Sequence, residues 1–268
     1  MAAAKTKPAN EIVSLTRGLN ILRAFRSVDV PLGNKEIGDR TGLPKATVAR
    51  LSHTLCEMGY LRHVGPHGQY HLGDKVTTLG HAVLRALPLR GIAEPMMQDF
   101  AARHRMSIAL AIGDQADMIY LAYCSGPDTV TSHLRIGSAL PMAASAIGRA
   151  YLWAANPESR AAHLAAIRAM AASEAEADAT EADLAEHIAE VDRVGYSISV
   201  GGWRREVSAL AVPVWLDRGA TVLGMNCSTR MRGIDEAQFR DVIAPALLTL
   251  SSEIGQSMET LGVSFWDE

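Results

Sequence analysis

Apolar residues recur along this chain with two different periods, and the change of period divides it. Near the start, Leu15, Leu19, Leu22 and Phe25 stand four and three apart and predict one stripe of a helix over 14–27. Ile37 faces inward from a short helix that Asn34 can cap and Gly42 can end in the left-handed conformation. Pro44 fits the first turn of a third helix, with Val48, Leu51, Leu55 and Met58 as its inner stripe and Gly59 as its stop. The stretch "YLRHVGPHGQYHLG" then alternates on either side of a Gly-Pro-His-Gly turn, as a hairpin does. Val76, Leu79, Val83 and Leu87 return to helical spacing until Pro88, and Ile92, Met96 and Phe100 predict a further helix.

Beyond Met106 the pattern reads as strands ("SIALAIG", "DMIYLAYC", "TVTSHLRI"), then helices ("ASAIGRAYLWAAN", "PESRAAHLAAIRAMAA", "ATEADLAEHIAEVDRVG"), then strands again ("YSISVGG", "SALAVPVWL", "ATVLGMNCS"). A last helix opens at Asp235, with Gln238 as a capping partner and Pro245 as a kink. This order predicts an α+β chain whose larger part is one central antiparallel sheet flanked by helices. The Ala/Glu-rich "AMAASEAEADATEADLAE" is the least constrained stretch, read as a solvated helix and its lead-in.

Two short helices joined by a tight Gly-Leu-Pro corner make a helix-turn-helix, and the hairpin behind them a wing. The corner projects the first turn of the second helix, where Lys45, Ala46, Thr47 and Arg50 lie off the apolar stripe. Helix N-termini favour phosphate, and an arginine there reaches a guanine edge in the major groove. Arg62 and the wing-tip His67 are candidate backbone contacts. Charge supports this division: residues 1–75 hold 11 Lys+Arg against 6 Asp+Glu, whereas 76–268 hold 15 against 23. The basic first part therefore suits a polyanion.

Other chemistries lack their signatures. His63, His67 and His71 are spaced like ligands on a helix but fall on a hairpin broken by Pro66 and Gly68, so no metal is expected. Cys124 and Ser145 lie in no nucleophile elbow, and Gly201-Gly202 is no phosphate loop, so neither a catalytic residue nor a cofactor is expected. Cys56, Cys124 and Cys227 are odd in number and far apart, which points to a reducing cytoplasm. No apolar run reaches the ~18 residues of a membrane span.

"SLTRGLNILRAF", "LPKATVARL" and "GYL" before a wing together resemble the IclR family of bacterial transcription regulators. With no apolar signal core, 1–10 read as a disordered tail; after it the resemblance implies a winged helix-turn-helix domain (11–73), a linker helix (74–90) and a GAF-like effector-binding domain (91–268). It places Ser14, Arg17 and Asn34 near the DNA backbone, and it implies a homodimer, or a tetramer, on a double-stranded operator. One departure is visible: Ser52 stands where the family usually has leucine. The resemblance also puts a small organic acid between the sheet and a helix opening at Ser145, Ala146 and Ile147, faced by Ser199, Val207, Ala209, Asn226 and Ser228. Because Ile147, Val207 and Ala209 are apolar, an aromatic or aliphatic acid fits as well as a two-carbon one. Trp203, Arg204 and Arg205 lie on the loop between two of those strands, and either arginine can pair with a carboxylate. An RNA-binding or metal-sensing regulator and a non-DNA-binding adaptor are the alternatives. No aromatic interleaving on the third helix suits stacked bases, and no Cys/His set has ligand spacing.

Overall fold

A computed structural model describes residues 12–25, 31–65, 68–126, 134–230 and 236–265. The tail 1–10, the wing-tip His67 and the helix start at Asp235 lie outside the described residues. The chain divides into two compact units, Met1–Ala86 and Leu87–Glu268.

The first unit runs α1 (Val13–Arg23), β1 (Leu32–Gly33), α2 (Asn34–Thr41), α3 (Lys45–Glu57), β2 (Leu61–Val64), β3 (Gln69–Leu72) and α4 (Asp74–Ala86). Its three strands pair antiparallel in the order β1-β3-β2. Ile21, Ala24, Leu32, Ile37, Val48, Leu61 and Tyr70 form the core. The expected inner face of α1 is thereby corrected. Leu15 and Leu19 are 59% and 52% exposed, Ile21 is fully buried, and Leu22 and Phe25 only flank it. The helix carries apolar residues on two sides, and the core takes the C-terminal set. Asn34 is likewise not the cap of α2 but its first residue, with Gly33 at the cap; the Gly33 N–H donates to Glu36 Oε2 at 3.0 Å. Gly42, at φ 68°, ends α2 in the left-handed region and lets α3 begin three residues later.

The second unit runs α5 (Pro88–His104), β4 (Ser107–Asp114), β5 (Asp117–Cys124), β6 (Ala139–Pro141), α6 (Ala146–Ala154), α7 (Pro157–Arg168), α8 (Glu174–Val194), β7 (Ser197–Val200), β8 (Val207–Leu216), β9 (Thr221–Arg230), α9 (Glu236–Gln238) and α10 (Ala244–Thr260). Its six strands form one antiparallel sheet in the order β6-β5-β4-β9-β8-β7. The strand expected over 129–136 is not found where it can be seen. Its first part lies outside the described residues, and Leu134–Ile136 lead into a turn closed by Arg135 N–H on Ser138 Oγ, with β6 following. The Ala/Glu-rich stretch is more ordered than its composition suggests. Ser173 caps α8 by accepting from Glu176 N–H, and Glu176 accepts in return from Ala172 N–H. Pro245, which has no N–H to give, follows a π-helical turn over Phe239–Ile243 that joins α9 to α10.

Beyond Ala211 the outer edge of β8 has no strand partner among the described residues. The Pro213 carbonyl there accepts from Ser251 Oγ of α10 at 2.6 Å, and Gly255 lets the same helix close on the Trp215 carbonyl.

Ser52 lies on the inner face of α3, fully buried, and its hydroxyl finds no hydrogen-bond partner among the described residues. A buried hydroxyl without a partner destabilises the fold. Ser52→Ala is therefore expected to raise stability by about 1 kcal/mol in urea unfolding; an unchanged or lowered midpoint would show that the hydroxyl is satisfied.

Candidate functional site

Each unit presents one candidate site. In the first, the exposed side of α3 carries Lys45, Ala46 and Arg50, with Thr47 half-buried beside Val48. No side chain caps its N-terminus and no acid stands in its first turn. Its first amides and two cations thus face outward together, as a polyanion requires. Arg40 Nη1 donates to the Ala24 carbonyl at 2.7 Å and ties α2 to the end of α1 beneath this surface. Ser14, Arg17 and Arg62 are exposed; Asn34 is half-buried with Oδ1 unpartnered among the described residues. The wing register pairs His63 with Tyr70 and His71 with Arg62, so the two histidines face opposite ways. Exposed His53, one turn past Arg50 on α3, extends the same face and was missed, because single-residue spacing gave it no distinguishing mark.

In the second unit the sheet face under α6 is paved with small residues. Register puts Ser199, Ala209, Ser228 and Ser107 in one row, and Ser197, Ala211, Asn226 and Ala109 in the next. A third row runs Pro213, Gly224 and Ala111 to Tyr120. The helix seats on two glycine notches one turn apart. A Cβ on Gly224 would fall 2.6 Å from Ile147 Cγ1, and one on Gly113 would fall 2.5 Å from Tyr151. Every residue from Ala146 to Leu152 is buried.

Between this helix and the sheet lies a cavity of about 40 Å³, where Ser145, Ala146, Ile147, Ser199, Trp203, Arg204, Val207, Ala209, Asn226 and Ser228 meet from four elements and a loop. Arg205, also expected, is not among the lining residues. Ser145 lines the cavity with a committed hydroxyl: it donates to the Pro141 carbonyl at 2.7 Å and accepts from Gly148 N–H at 3.3 Å. Its work is to cap α6. The Arg204 guanidinium lies over the Trp203 ring, 4.5 Å from its centre.

Tyr120, Leu134 and Leu140 also line it and were missed by sequence reading. For Tyr120 the cause is a bulge. The β4–β5 register shifts between Leu110 and Ala111, so Tyr120 pairs with Ala111 and Tyr123 with Ala109. Simple alternation would put residues three apart on opposite faces; the bulge puts both rings on the cavity side, stacked with centres 6.3 Å apart. Tyr123 shares a 2.9 Å hydrogen bond with Ser107, and the Tyr120 hydroxyl donates to Asn226 Oδ1 at 3.2 Å. Burial pushes the Tyr120 phenol pKa well up, so it remains a neutral donor.

The flanks of α6 are tied down. Arg149, nearly buried, reaches the Ala143 carbonyl and, at 3.6 Å, Asp183 of α8; burial lowers its pKa and Asp183 opposes that. Tyr151 shares a hydrogen bond with His163 Nε2, whose Nδ1 lies 2.7 Å from the Gln115 carbonyl in the β4–β5 turn. A solvent-facing wall is the loop 201–206, closed by Gly201 N–H on the Val207 carbonyl and by Val207 N–H on the Arg204 carbonyl.

Comparison with known proteins gives concordant matches. A family model described as the IclR helix-turn-helix domain matches residues 14–65, and one described as the bacterial transcriptional regulator IclR C-terminal matches 81–256. The chain is 29% identical over 248 residues to the HTH-type transcriptional regulator XynR of Escherichia coli K12, covering 91% of this chain and 98% of that one. It is 28% identical to the Pca regulon regulatory protein of Pseudomonas putida, over 91% and 83%. Its structure is similar to that of an IclR family transcriptional regulator from Brucella abortus, with TM-score 0.85, 34% identity and 96% of each chain covered.

The seating of α6 is open to direct test. Gly224→Ala forces Ile147 to move and is expected to destabilise the protein by about 1–3 kcal/mol. Ile147→Ala in the same chain should recover part of that loss. Urea unfolding of both single variants and the double variant measures the coupling, and simple additivity would show that the two residues do not meet.

Proposed function

Since the chain belongs to the IclR family of bacterial transcriptional regulators, we propose that it binds a double-stranded operator as a dimer and answers to a small organic acid held under α6. What the family establishes is coarser: a DNA-binding transcription regulator with an effector domain, and not an enzyme. The dimer, the acid, the cytoplasmic setting and the contact residues are our reading.

One observation carries the effector reading. Among the described residues the cavity lining holds hydroxyl and amide groups and one arginine, Arg204, and no carboxylate side chain. Ser145 occupies the Gly148 amide, which leaves the first amides of α6, at Ala146 and Ile147, without a partner inside the helix. Helix dipole and guanidinium together favour an anion, and Leu134, Leu140, Trp203 and Val207 offer an apolar wall for an aliphatic or aromatic body. At about 40 Å³ the cavity holds roughly one water's share of volume. An acid is admitted only if a wall moves, and the sheet and α6 are fixed by the contacts described above. The loop bearing Trp203 and Arg204 is the wall that gives.

On the DNA side, Lys45, Ala46, Thr47 and Arg50 enter the major groove, while Ser14, Arg17, Asn34, Arg62 and His67 meet the backbone. Support for a dimer comes from unpartnered apolar stripes in the first unit. Ile12, Leu15 and Leu19 on and just before α1, and Leu79 and Val83 on α4, are all exposed, and large apolar side chains at helical spacing on a surface suit a protein partner. A dimer would set two copies of α3 on half-sites ~34 Å or a multiple apart, so a small change in their spacing changes affinity strongly.

Arg50→Ala is expected to weaken specific binding by about 1–3 kcal/mol and to relax base preference at one position. Lys45→Ala should lower affinity for all sequences alike and flatten the salt dependence by roughly one counterion. Footprint titrations at two salt concentrations separate the two effects; unchanged affinity and preference in the arginine variant would remove Arg50 from the readout. Ala209→Phe should fill the cavity, keep operator binding and abolish the effector response, at ~1–3 kcal/mol of stability. A folded Ala209→Phe protein that still responds would place the effector elsewhere.

A further inference from the structure

Asn226 occupies an unusual place. It is 5% exposed at the centre of β9, with alanines beside it on both neighbouring strands, Ala109 and Ala211. Asparagine is poorly suited to a central strand, and its amide brings four hydrogen-bonding positions into a buried face. Only one of its two polar atoms is satisfied by the protein: Oδ1 accepts from the Tyr120 hydroxyl, and among the described residues the amide nitrogen has no partner. That side chain lines the cavity.

The orientation of the amide is fixed by its neighbour. The Tyr120 ring is 2% exposed, and Asn226 Oδ1 is the acceptor its hydroxyl finds. Turning the amide over would leave a buried O–H with nowhere to donate, which is the expensive failure for a buried polar group. The serine hydroxyls nearby, on Ser199 and Ser228, rotate to give or to accept and so select nothing. Among the polar side chains that the sheet strands bring to the cavity, Asn226 is the one whose polarity a neighbour fixes.

We propose that Asn226 sets the polarity of the effector site by presenting its amide N–H groups to the ligand, with Tyr120 as the positioning residue, so that the group received there is an oxygen acceptor with no proton to give, a carboxylate or oxo oxygen. This rests on the effector reading above and goes further in naming which end of the ligand the sheet recognises. The acceptor oxygen lies on Asn226, and the apolar body lies under Trp203.

The test uses acids and their amidines, which share shape and invert every hydrogen bond. Full-length protein is titrated calorimetrically with pyruvate, butyrate, hexanoate, benzoate and phenylacetate, and the tightest acid is carried forward with the matching amidine. In Tyr120→Phe the acid should bind nearly as before, because the freed amide can still offer its N–H groups. The amidine should gain about tenfold, since Asn226 can now turn its carbonyl to the ligand without stranding the phenol. Asn226→Asp should lose the acid by about tenfold or more and gain the amidine, whereas Asn226→Ser, whose hydroxyl can give or accept, should shift both ligands less. Arg204 is unchanged throughout, so its charge cancels between variants. A purely structural Tyr120 would weaken both ligands together; that result, or an amidine that gains nothing in Tyr120→Phe, overturns the proposal, as does unimpaired acid binding by Asn226→Asp. Failure of every acid to bind the wild-type protein is a different outcome, and it removes the effector reading itself.

Discussion

The second unit depends on how closely α6 can approach the central sheet. Rows made mostly of serine, alanine and glycine on β4, β7, β8 and β9 let the helix come close. Gly224 and Gly113 go further and provide notches for Ile147 and Tyr151, one helical turn apart. Close packing of this kind has little tolerance for added volume. It also explains where space remains: beyond the first turn of α6, Ala209, Ser228 and Ser199 continue the low paving with no helix above them. The cavity is the uncovered end of a surface built to receive a helix.

This geometry divides rigid from movable parts. Arg149 links the approach to α6 with α8, and the Tyr151–His163 pair links the helix through α7 to the β4–β5 turn. A helix held from both flanks and buried along its length does not shift for a small ligand. The loop 201–206, with Gly201 at φ 67° and its two backbone hydrogen bonds, is held far less. Trp203 and Arg204 therefore combine an apolar cover and a cation on one short segment.

Much of this was legible in the residues. The Gly-Leu-Pro corner gave the helix-turn-helix, because a left-handed glycine and an N-terminal proline each have few other uses. Ten of the cavity residues were read in advance, by alternation and by likeness to a family. The failures have physical causes. Periodicity finds a helix but not its inner face when two faces are apolar, which is why Leu15 and Leu19 were misplaced and Ile21 overlooked. Alternation fails at a bulge, and that hid Tyr120. Ser145 was read as a ligand contact by likeness to the family; it does line the cavity, and the structure adds that its hydroxyl is engaged at both ends. Asn34 was read as a cap, but Glu36 reaches back to Gly33 instead, and the cap falls one residue earlier.

The treatment of the β8 edge bears on how copies of this chain can associate. An open strand edge is a template on which any extended segment can add, without regard to sequence, and uncontrolled growth begins there. Here the exposed half of that edge is spoken for: Pro213 brings no N–H, its carbonyl is taken by Ser251, and α10 lies against the Trp215 carbonyl through Gly255. Strand-by-strand accretion is closed off at that edge, even in a cell crowded with nascent chains. Association is left to side-chain surfaces, which, unlike a bare backbone edge, discriminate between partners.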